Sequence, residues 1–314
     1  MKAPEPSLEW EITTKCNYRC SYCCQKPFIG KASLEHCSDA TVEAVFKLLK
    51  ELPGRWLVKL IGGEPMIHPR FLEICQFIAA SNHDLVITTN FSLPFPRIEQ
   101  LIQVTGERLT VLTASLHLEE VRDLELFIQK AVTFNQAKHP RTTFVVTSVC
   151  LEDKFDNLRA VADRLDRAKI RFAFQVLKVD GKYVGYQNPA VEAYIADKLN
   201  DNTATLQSFN SYGTLCHTGE LFFRINTSGD AVRCFNAQPL FNLGNVTDGS
   251  FRRFESARPC LSQRCTCTVP INRGMIEFGN KADAGQIAVA QIEGRVRDYR
   301  RKLTRRIQAL SLPD

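Results

Sequence analysis

Between residues 8 and 177 the sequence alternates two kinds of stretch. LEWEIT (8–13), WLVKLI (56–61), DLVITT (84–89), LTVLTAS (109–115), TTFVVTSV (142–149) and RFAFQVL (171–177) are alternating or rich in β-branched and aromatic residues. Amphipathic stretches at 41–51, 70–81, 96–104, 123–138 and 155–168 separate them. Strands that alternate with helices argue for a parallel α/β domain. Six such units within roughly 170 residues suit a partial barrel rather than an eight-fold one, which takes about 250. The expected fold class is therefore α/β, with a partial (β/α)6 TIM-like barrel over residues 1–180.

After residue 180 the pattern changes. Residues 190–199 read as a short helix, and ELFFRINTSGDAVRCF (220–235) as a β-hairpin with Gly229-Asp230 at its turn. The stretch 240–280 is loop-rich. Residues 283–310 read as one helix, on which Val289, Ile292, Val296, Tyr299, Leu303, Ile307 and Leu310 recur at steps of three or four and make one apolar face. Arg295, Arg297, Arg300, Arg301, Lys302, Arg305 and Arg306 are expected on its solvated face, with attraction of an acidic partner as the alternative. Residues 181–314 are thus expected as a second, small domain of hairpin plus helix.

The chain has 314 residues, 44% of them hydrophobic, which is ample for a core. A net charge of +6 is mild, and a nucleic-acid partner would rest on the basic tail alone. No apolar run approaches the ~20 residues of a membrane span, and the N-terminus lacks the apolar stretch of a signal peptide. The expected location is cytoplasmic. There thiols stay reduced, so the twelve cysteines point to metal binding or catalysis rather than to disulfides. They are also grouped. Cys16, Cys20, Cys23 and Cys24 form one set; Cys216, Cys234, Cys260, Cys265 and Cys267 form another; Cys37, Cys75 and Cys150 stand alone.

Cys16, Cys20 and Cys23 are spaced C-x3-C-x2-C directly after the first strand. Three thiolates on one short loop can hold three irons of a 4Fe–4S cluster and leave one open. Zinc is the alternative, but it wants four protein ligands, and the side chain of Cys24 should point away from that of Cys23. The motif resembles that of the radical S-adenosylmethionine (SAM) superfamily. Gly62-Gly63-Glu64-Pro65 after the second strand resembles the family's GGEP motif, and Thr88-Thr89-Asn90 closes the third strand as in many relatives. The resemblance covers roughly residues 8–180. It implies Tyr22 against the adenine, Glu64 on the methionine ammonium, and an open iron that binds the amino and carboxylate groups of SAM. It also implies reductive cleavage to a 5′-deoxyadenosyl radical that abstracts hydrogen from substrate.

Strand alternation sends Leu8, Trp10 and Ile12 under helices and Glu9 and Glu11 inward. By the same logic Lys59, Asn90, Ser115, His117, Arg171 and Gln175 are candidates for the cavity, which suits a polar substrate. Ser115 and Gln175 resemble positions that contact the SAM ribose or carboxylate in relatives. His117, at the carboxyl end of a strand, is a catalytic candidate, with a structural hydrogen bond as the alternative. Cys150 ends the fifth strand. Its functional reading is return of a hydrogen atom to substrate, and its plain reading is a buried thiol.

The second cysteine group resembles the auxiliary-cluster extension called twitch, the short relative of the SPASM domain. Leu243-Gly244-Asn245 also looks like a segment common there. Cys216, Cys234, Cys265 and Cys267 are the first choice of ligands for a second 4Fe–4S cluster. Cys260 is a rival, the C-x-C spacing departs from the family's C-x2-C, and zinc is the alternative metal. With an open iron such a cluster could bind substrate directly, but the extra cysteine eases full ligation and favours net oxidation of substrate with the auxiliary cluster as electron acceptor, served by an external donor such as flavodoxin or ferredoxin. The expected substrate is a sugar, aminocyclitol or similar metabolite. A ribosomally made peptide is the alternative, set second because the chain begins at the first strand with no room for a peptide-recognition domain. A non-enzymatic iron–sulfur or zinc protein is the reading from another class, and the GGEP motif speaks against it.

Overall fold

A computed structural model describes residues 3–23, 34–179, 182–183, 185–198, 209–235, 240–265 and 269–310. Cys24 and Cys267 lie outside the described residues. By its contacts the chain divides into two compact units. One is Trp10–Cys37 with Leu57–Leu199; the other is Met1–Glu9 with Ser38–Trp56 and Asn200–Asp314.

The elements of the first half follow the expected alternation. They are β1 (Ser7–Thr13), α1 (Asp39–Glu51), β2 (Leu57–Gly62), α2 (Phe71–Ala80), β3 (Asp84–Thr89), α3 (Phe95–Thr105), β4 (Leu109–Ser115), α4 (Leu124–Ala137), β5 (Thr143–Val149), α5 (Phe155–Arg167) and β6 (Arg171–Gln175). The short pair β7 (Lys178–Val179) and β8 (Lys182–Tyr183) comes next, followed by α6 (Pro189–Lys198). Strands β1 to β6 are neighbours in sequence order, and every pairing from β2 to β6 is parallel. This is the (β/α)6 arrangement of a partial barrel, and it puts the carboxyl ends of all six strands on one rim.

Local chemistry sets the element ends. The Ser38 hydroxyl accepts the Thr41 N–H at the start of α1, and the Asp123 carboxylate accepts the Leu126 N–H at the start of α4. Leu8, Trp10 and Ile12 are fully buried, as the alternation along β1 requires. Phe91 packs with Phe127, Phe134 and Phe144 at ring separations of 5.8, 6.1 and 5.9 Å. Its backbone is left-handed, at φ 57°, so the chain turns sharply just after β3. The buried Lys130 ammonium donates to the Phe91 and Leu93 carbonyls at 2.6 and 3.1 Å, which fixes that turn from α4.

The second unit holds β9 (Thr214–Cys216), β10 (Phe222–Ile225), β11 (Asp230–Val232), β12 (Asn242–Asn245), β13 (Arg258–Pro259), the one-turn α7 (Val269–Asn272), β14 (Ile276–Lys281) and the long α8 (Ala284–Leu310). β10 and β11 form the expected hairpin, with Arg224 opposite Val232 and Gly229 at φ 79° in the turn. β11 continues to β12, where a Cβ on Gly244 would meet the Ser250 carbonyl oxygen at 2.3 Å. β13, β9 and β14 form a separate antiparallel sheet.

Helix α8 corrects one expectation. Its basic residues are not simply a solvated face. The Arg297 guanidinium lies 4.7 Å from the Phe254 ring centroid, and Arg301 bonds the buried Asp298 at 2.9 Å. Gly294 is the physical reason. A Cβ there would sit 2.4 Å from the Leu240 carbonyl oxygen, so the absence of a side chain lets this polar side approach closely. The apolar stripe is consequently left outside, with Ile292 and Tyr299 exposed at 60% and 67%.

The Trp10 indole N–H is buried and finds no hydrogen-bond partner among the described residues. Trp10→Ala should therefore lower unfolding free energy by about 3–5 kcal/mol. Trp10→Phe, which also removes the unpaired donor, should cost less than about 2 kcal/mol. Urea denaturation of the two variants checks the ordering.

Candidate functional site

The loop after β1 carries the first three cysteines. Cys20 is buried, and Cys16 and Cys23 are partly buried. The Cys23 N–H donates to the Cys20 carbonyl at 3.2 Å, and the Tyr18 N–H reaches Cys16 Sγ at 3.4 Å. Burial pushes the Cys20 thiol up to about 12, with further upward contributions from Glu120, Cys23 and Cys16. Burial likewise raises Cys16, with Glu64 and Cys23 adding to it. Thiols that raise one another's pKa in this way share one small space.

The end of β2 docks on the start of this loop. The Gly63 N–H donates to the Thr13 carbonyl and the Glu64 N–H to the Lys15 carbonyl, each at 2.8 Å. A Cβ on Gly62 would lie 2.0 Å from the Thr13 oxygen, and one on Gly63 would lie 2.1 Å from the Lys15 oxygen. Both glycines are thus demanded by the chain's own backbone. Pro65 follows, buried, at the head of a single 3-10 turn.

The Glu64 side chain is fully buried. One carboxylate oxygen accepts the Met66 N–H at 2.9 Å and the Thr89 hydroxyl at 2.7 Å; the other accepts the Asn90 N–H at 2.5 Å. Burial pushes its pKa up to about 7 against the pull of these three bonds. Glu64 therefore ties the ends of β2 and β3 together. The Asn90 amide then donates to Asn17 Oδ1 at 2.8 Å, inside the cysteine loop, and Asn17 donates to the Ser92 hydroxyl at 2.9 Å.

The segment after β4 grips the same loop from the other side. His117 Nδ1 and the Tyr22 hydroxyl are 2.9 Å apart. Glu119 accepts the Ser21 N–H at 2.8 Å and its hydroxyl at 2.6 Å, and Glu120 accepts the Arg19 N–H at 3.0 Å. Burial lowers the His117 pKa, while Glu120 and Glu119 pull it upward. The sequence TASLHLEE pointed to His117, but gave no role to Glu119 and Glu120. Their adjacency to the strand end was the available signal.

The other candidates are dispersed. Ser115 ends β4 beside Thr147, and Gln175 ends β6 beside Val149. Cys150 sits in an apolar cluster with Phe155, Val191 and Ile195, with its carbonyl accepting the Tyr186 hydroxyl at 3.0 Å. The structure joins Cys150 to α6 rather than to the cysteine loop.

In the second unit Cys216 is buried among Phe222, Met275 and Ile276, and Cys234 and Cys265 pack against this same cluster. Cys260 is close enough to raise the pKa of Cys216, whose main cause of elevation is burial. The buried Arg233 frames them, donating to Thr218 Oγ1 and to the carbonyls of Cys216, Arg258 and Pro259 at 3.1–3.3 Å. Among the described residues no group of three His, Cys, Asp or Glu is set for a single metal ion. A cluster makes a different demand, with one ligand per iron and the ligands spread apart. Soft thiols grouped on the Cys16–Cys23 loop, with a fixed backbone on either side, fit that demand.

Residues 10–132 match the family model of the Radical SAM superfamily, and this stretch contains the cysteine loop, the docking glycines and the segment after β4. A GTP 3',8-cyclase of Alkaliphilus oremlandii is 30% identical over 118 residues, 36% of each chain. A probable GTP 3',8-cyclase of Thermococcus kodakarensis is 32% identical over 118 residues, 37% of each. The match thus spans just over a third of the length of these curated relatives. Among solved structures, native anSMEcpe with bound AdoMet has a similar fold, at TM-score 0.53, 16% identity and 78% coverage of both chains. Streptococcus suis SuiB bound to precursor peptide SuiA gives TM-score 0.52 at 17% identity, over 79% of this chain and 65% of that one. The family match lies within the barrel residues, and the likeness to the solved structures is one of fold. No helix among the described residues is long and apolar enough to cross a membrane.

Glu64→Gln should leave one of its three donors facing an amide N–H and cost about 1–3 kcal/mol. The elevated carboxyl pKa sets the sign of the pH dependence. The folded state binds this proton more tightly than the unfolded chain does. Its contribution is whole below about pH 4.5 and is lost as pH rises through about 7. Denaturation midpoints of wild type across pH 4–8 should show that decline, and the Gln variant should be flatter.

Proposed function

We propose that this protein is a radical SAM enzyme that abstracts hydrogen from a polar substrate and oxidises it. The supporting observation is the convergence of three strand ends on one loop. The segments after β2, β3 and β4 all bond to, or dock on, residues 13–22. In this reading Cys16, Cys20 and Cys23 hold a 4Fe–4S cluster, and the rim of β1–β4 holds SAM. Cluster and SAM, once bound, supply the one-electron cleavage that gives a 5′-deoxyadenosyl radical.

The chain's own residues do the positioning. Glu64 keeps Gly63, Asn90 and the cysteine loop in register, and its three protein donors make it a positioning residue before a partner for the methionine ammonium. Tyr22, held by His117, presents its ring for the adenine. Ser115 and Gln175 stand at strand ends for the ribose and carboxylate. Residues 1–180 carry this chemistry. In residues 181–314, Cys216, Cys234, Cys265 and either Cys260 or Cys267 hold a second, auxiliary cluster that accepts an electron from the substrate radical. An external reductant such as flavodoxin or ferredoxin resets the system, in the cytoplasm.

For the substrate we favour a small polar metabolite, a sugar or aminocyclitol. A nucleotide belongs to the same class and is suggested by the names of the cyclase relatives, but their match covers only about a third of this chain. A peptide substrate is the second reading. The fold shared with SuiB supports it, because that likeness extends over 79% of this chain.

Anaerobically reconstituted protein should carry about eight irons per chain, two clusters of four. With dithionite and SAM it should release 5′-deoxyadenosine, measured by chromatography. Changing Cys16, Cys20 or Cys23 to Ala should reduce release to background, while Cys265→Ala should lose about four irons and keep part of the cleavage. Four irons in the wild type would remove the auxiliary cluster. Stoichiometric zinc in the second site of native protein would replace it. Turnover of GTP would move the substrate to the nucleotides.

A further inference from the structure

Helix α8 is built inside out. Gly294 seats its polar side on Leu240, Glu293 pairs with Arg258 at 3.5 Å, and Arg297 covers Phe254. The opposite side presents Val289, Ile292, Val296, Tyr299 and Leu303, exposed at 50, 60, 44, 67 and 45%. Their steps of three, four, three and four are the a and d positions of successive heptads. Scattered exposed apolar residues need no account, but a continuous row does.

We propose that α8 is a docking helix for an amphipathic helix with an apolar seam and acidic flanks, supplied by a partner polypeptide. Two observations select this occupant. The first is width. At about 100° per residue the five side chains span roughly 80°, the narrow seam of a helix pair. A bilayer surface is met by a broader apolar face. The second is charge. The exposed basic residues flanking the seam are Arg295, Arg300 and Lys302. The acidic groups are turned elsewhere: Glu293 to Arg258, and the buried Asp298 to Arg301 and Lys302 at 2.9 and 2.6 Å. In heptad terms Arg295 and Lys302 take g positions and Arg300 an e position. A second copy of α8 in parallel would set Arg295 against Arg300, and an antiparallel copy would set g against g. Both oppose self-association, whereas carboxylates at e and g of a partner complement every flank.

The test uses the full-length protein and two fluorescein-labelled three-heptad peptides, with Leu at a and d and either Glu or Lys at e and g. Fluorescence anisotropy should show saturable binding of the Glu peptide with a Kd in the micromolar range. The Lys peptide should bind at least about ten-fold more weakly, a difference near 1.4 kcal/mol. Added salt should narrow the gap. Ile292→Asp, at an exposed position, should abolish binding while circular dichroism and iron content stay unchanged. The pair Arg295→Glu with Arg300→Glu should reverse the preference. Equal affinity for both peptides, or none for either, overturns the proposal. So does a dimer in light scattering that Ile292→Asp dissociates, or sedimentation of the protein with anionic phosphatidylserine vesicles. Cleavage of SAM is not a readout in any arm, so the outcome is independent of the proposed chemistry.

Discussion

The Glu64 carboxylate is the fixed point of the barrel rim. A buried acidic group without partners would be severely destabilising. Here it accepts from Met66, Thr89 and Asn90 and so forces the ends of β2 and β3 into one geometry. That geometry aims Gly63 and Glu64 at the carbonyls of Thr13 and Lys15, and Asn90 at Asn17. The cysteine loop forms neither helix nor strand over residues 14–23. Its shape is borrowed from these strand ends, and any change at Glu64 propagates to three segments at once.

The second unit uses an arginine for the same purpose. Arg233 is buried between the rings of Phe241 and Phe254, at 4.5 and 5.5 Å from their centroids, and its donors fix the backbone on both sides of the cysteine cluster. A delocalised, weakly hydrated cation tolerates such a position better than an ammonium would. Each thiol group thus has one buried ionisable side chain that bonds the backbone beside it.

Much of this was legible in the sequence because it is periodic. β1 to β6 and their helices follow from alternating apolar residues, and α8 from steps of three and four. The cysteine loop and Gly62 to Pro65 were visible as motifs at strand ends. The roles of individual side chains were not. A sequence shows that Glu64 stands near a site but not that its carboxylate turns back into the protein. Nor does it show that His117 spends a ring nitrogen on Tyr22, or that Glu119 and Glu120 hold Ser21 and Arg19. These bonds join positions about a hundred apart, and no local rule encodes them. The inverted packing of α8 was hidden for a related reason. Periodicity identifies an apolar face but not the side from which a neighbour arrives, and here the contacts of Gly294, Glu293 and Arg297 decide that.

The raised pKa values of Cys16 and Cys20 have a consequence for how the first site is filled. Burial favours the protonated form of both thiols, whereas thiolates are what iron binds. On the proposed reading, loading the loop with iron and sulfide would therefore expel protons into the medium. The loop's backbone is held in place by Asn90, Glu119 and Glu120, so little of the driving force is spent on ordering chain. Acquisition would then be chiefly an exchange of protons for metal, favoured by alkali and opposed by acid.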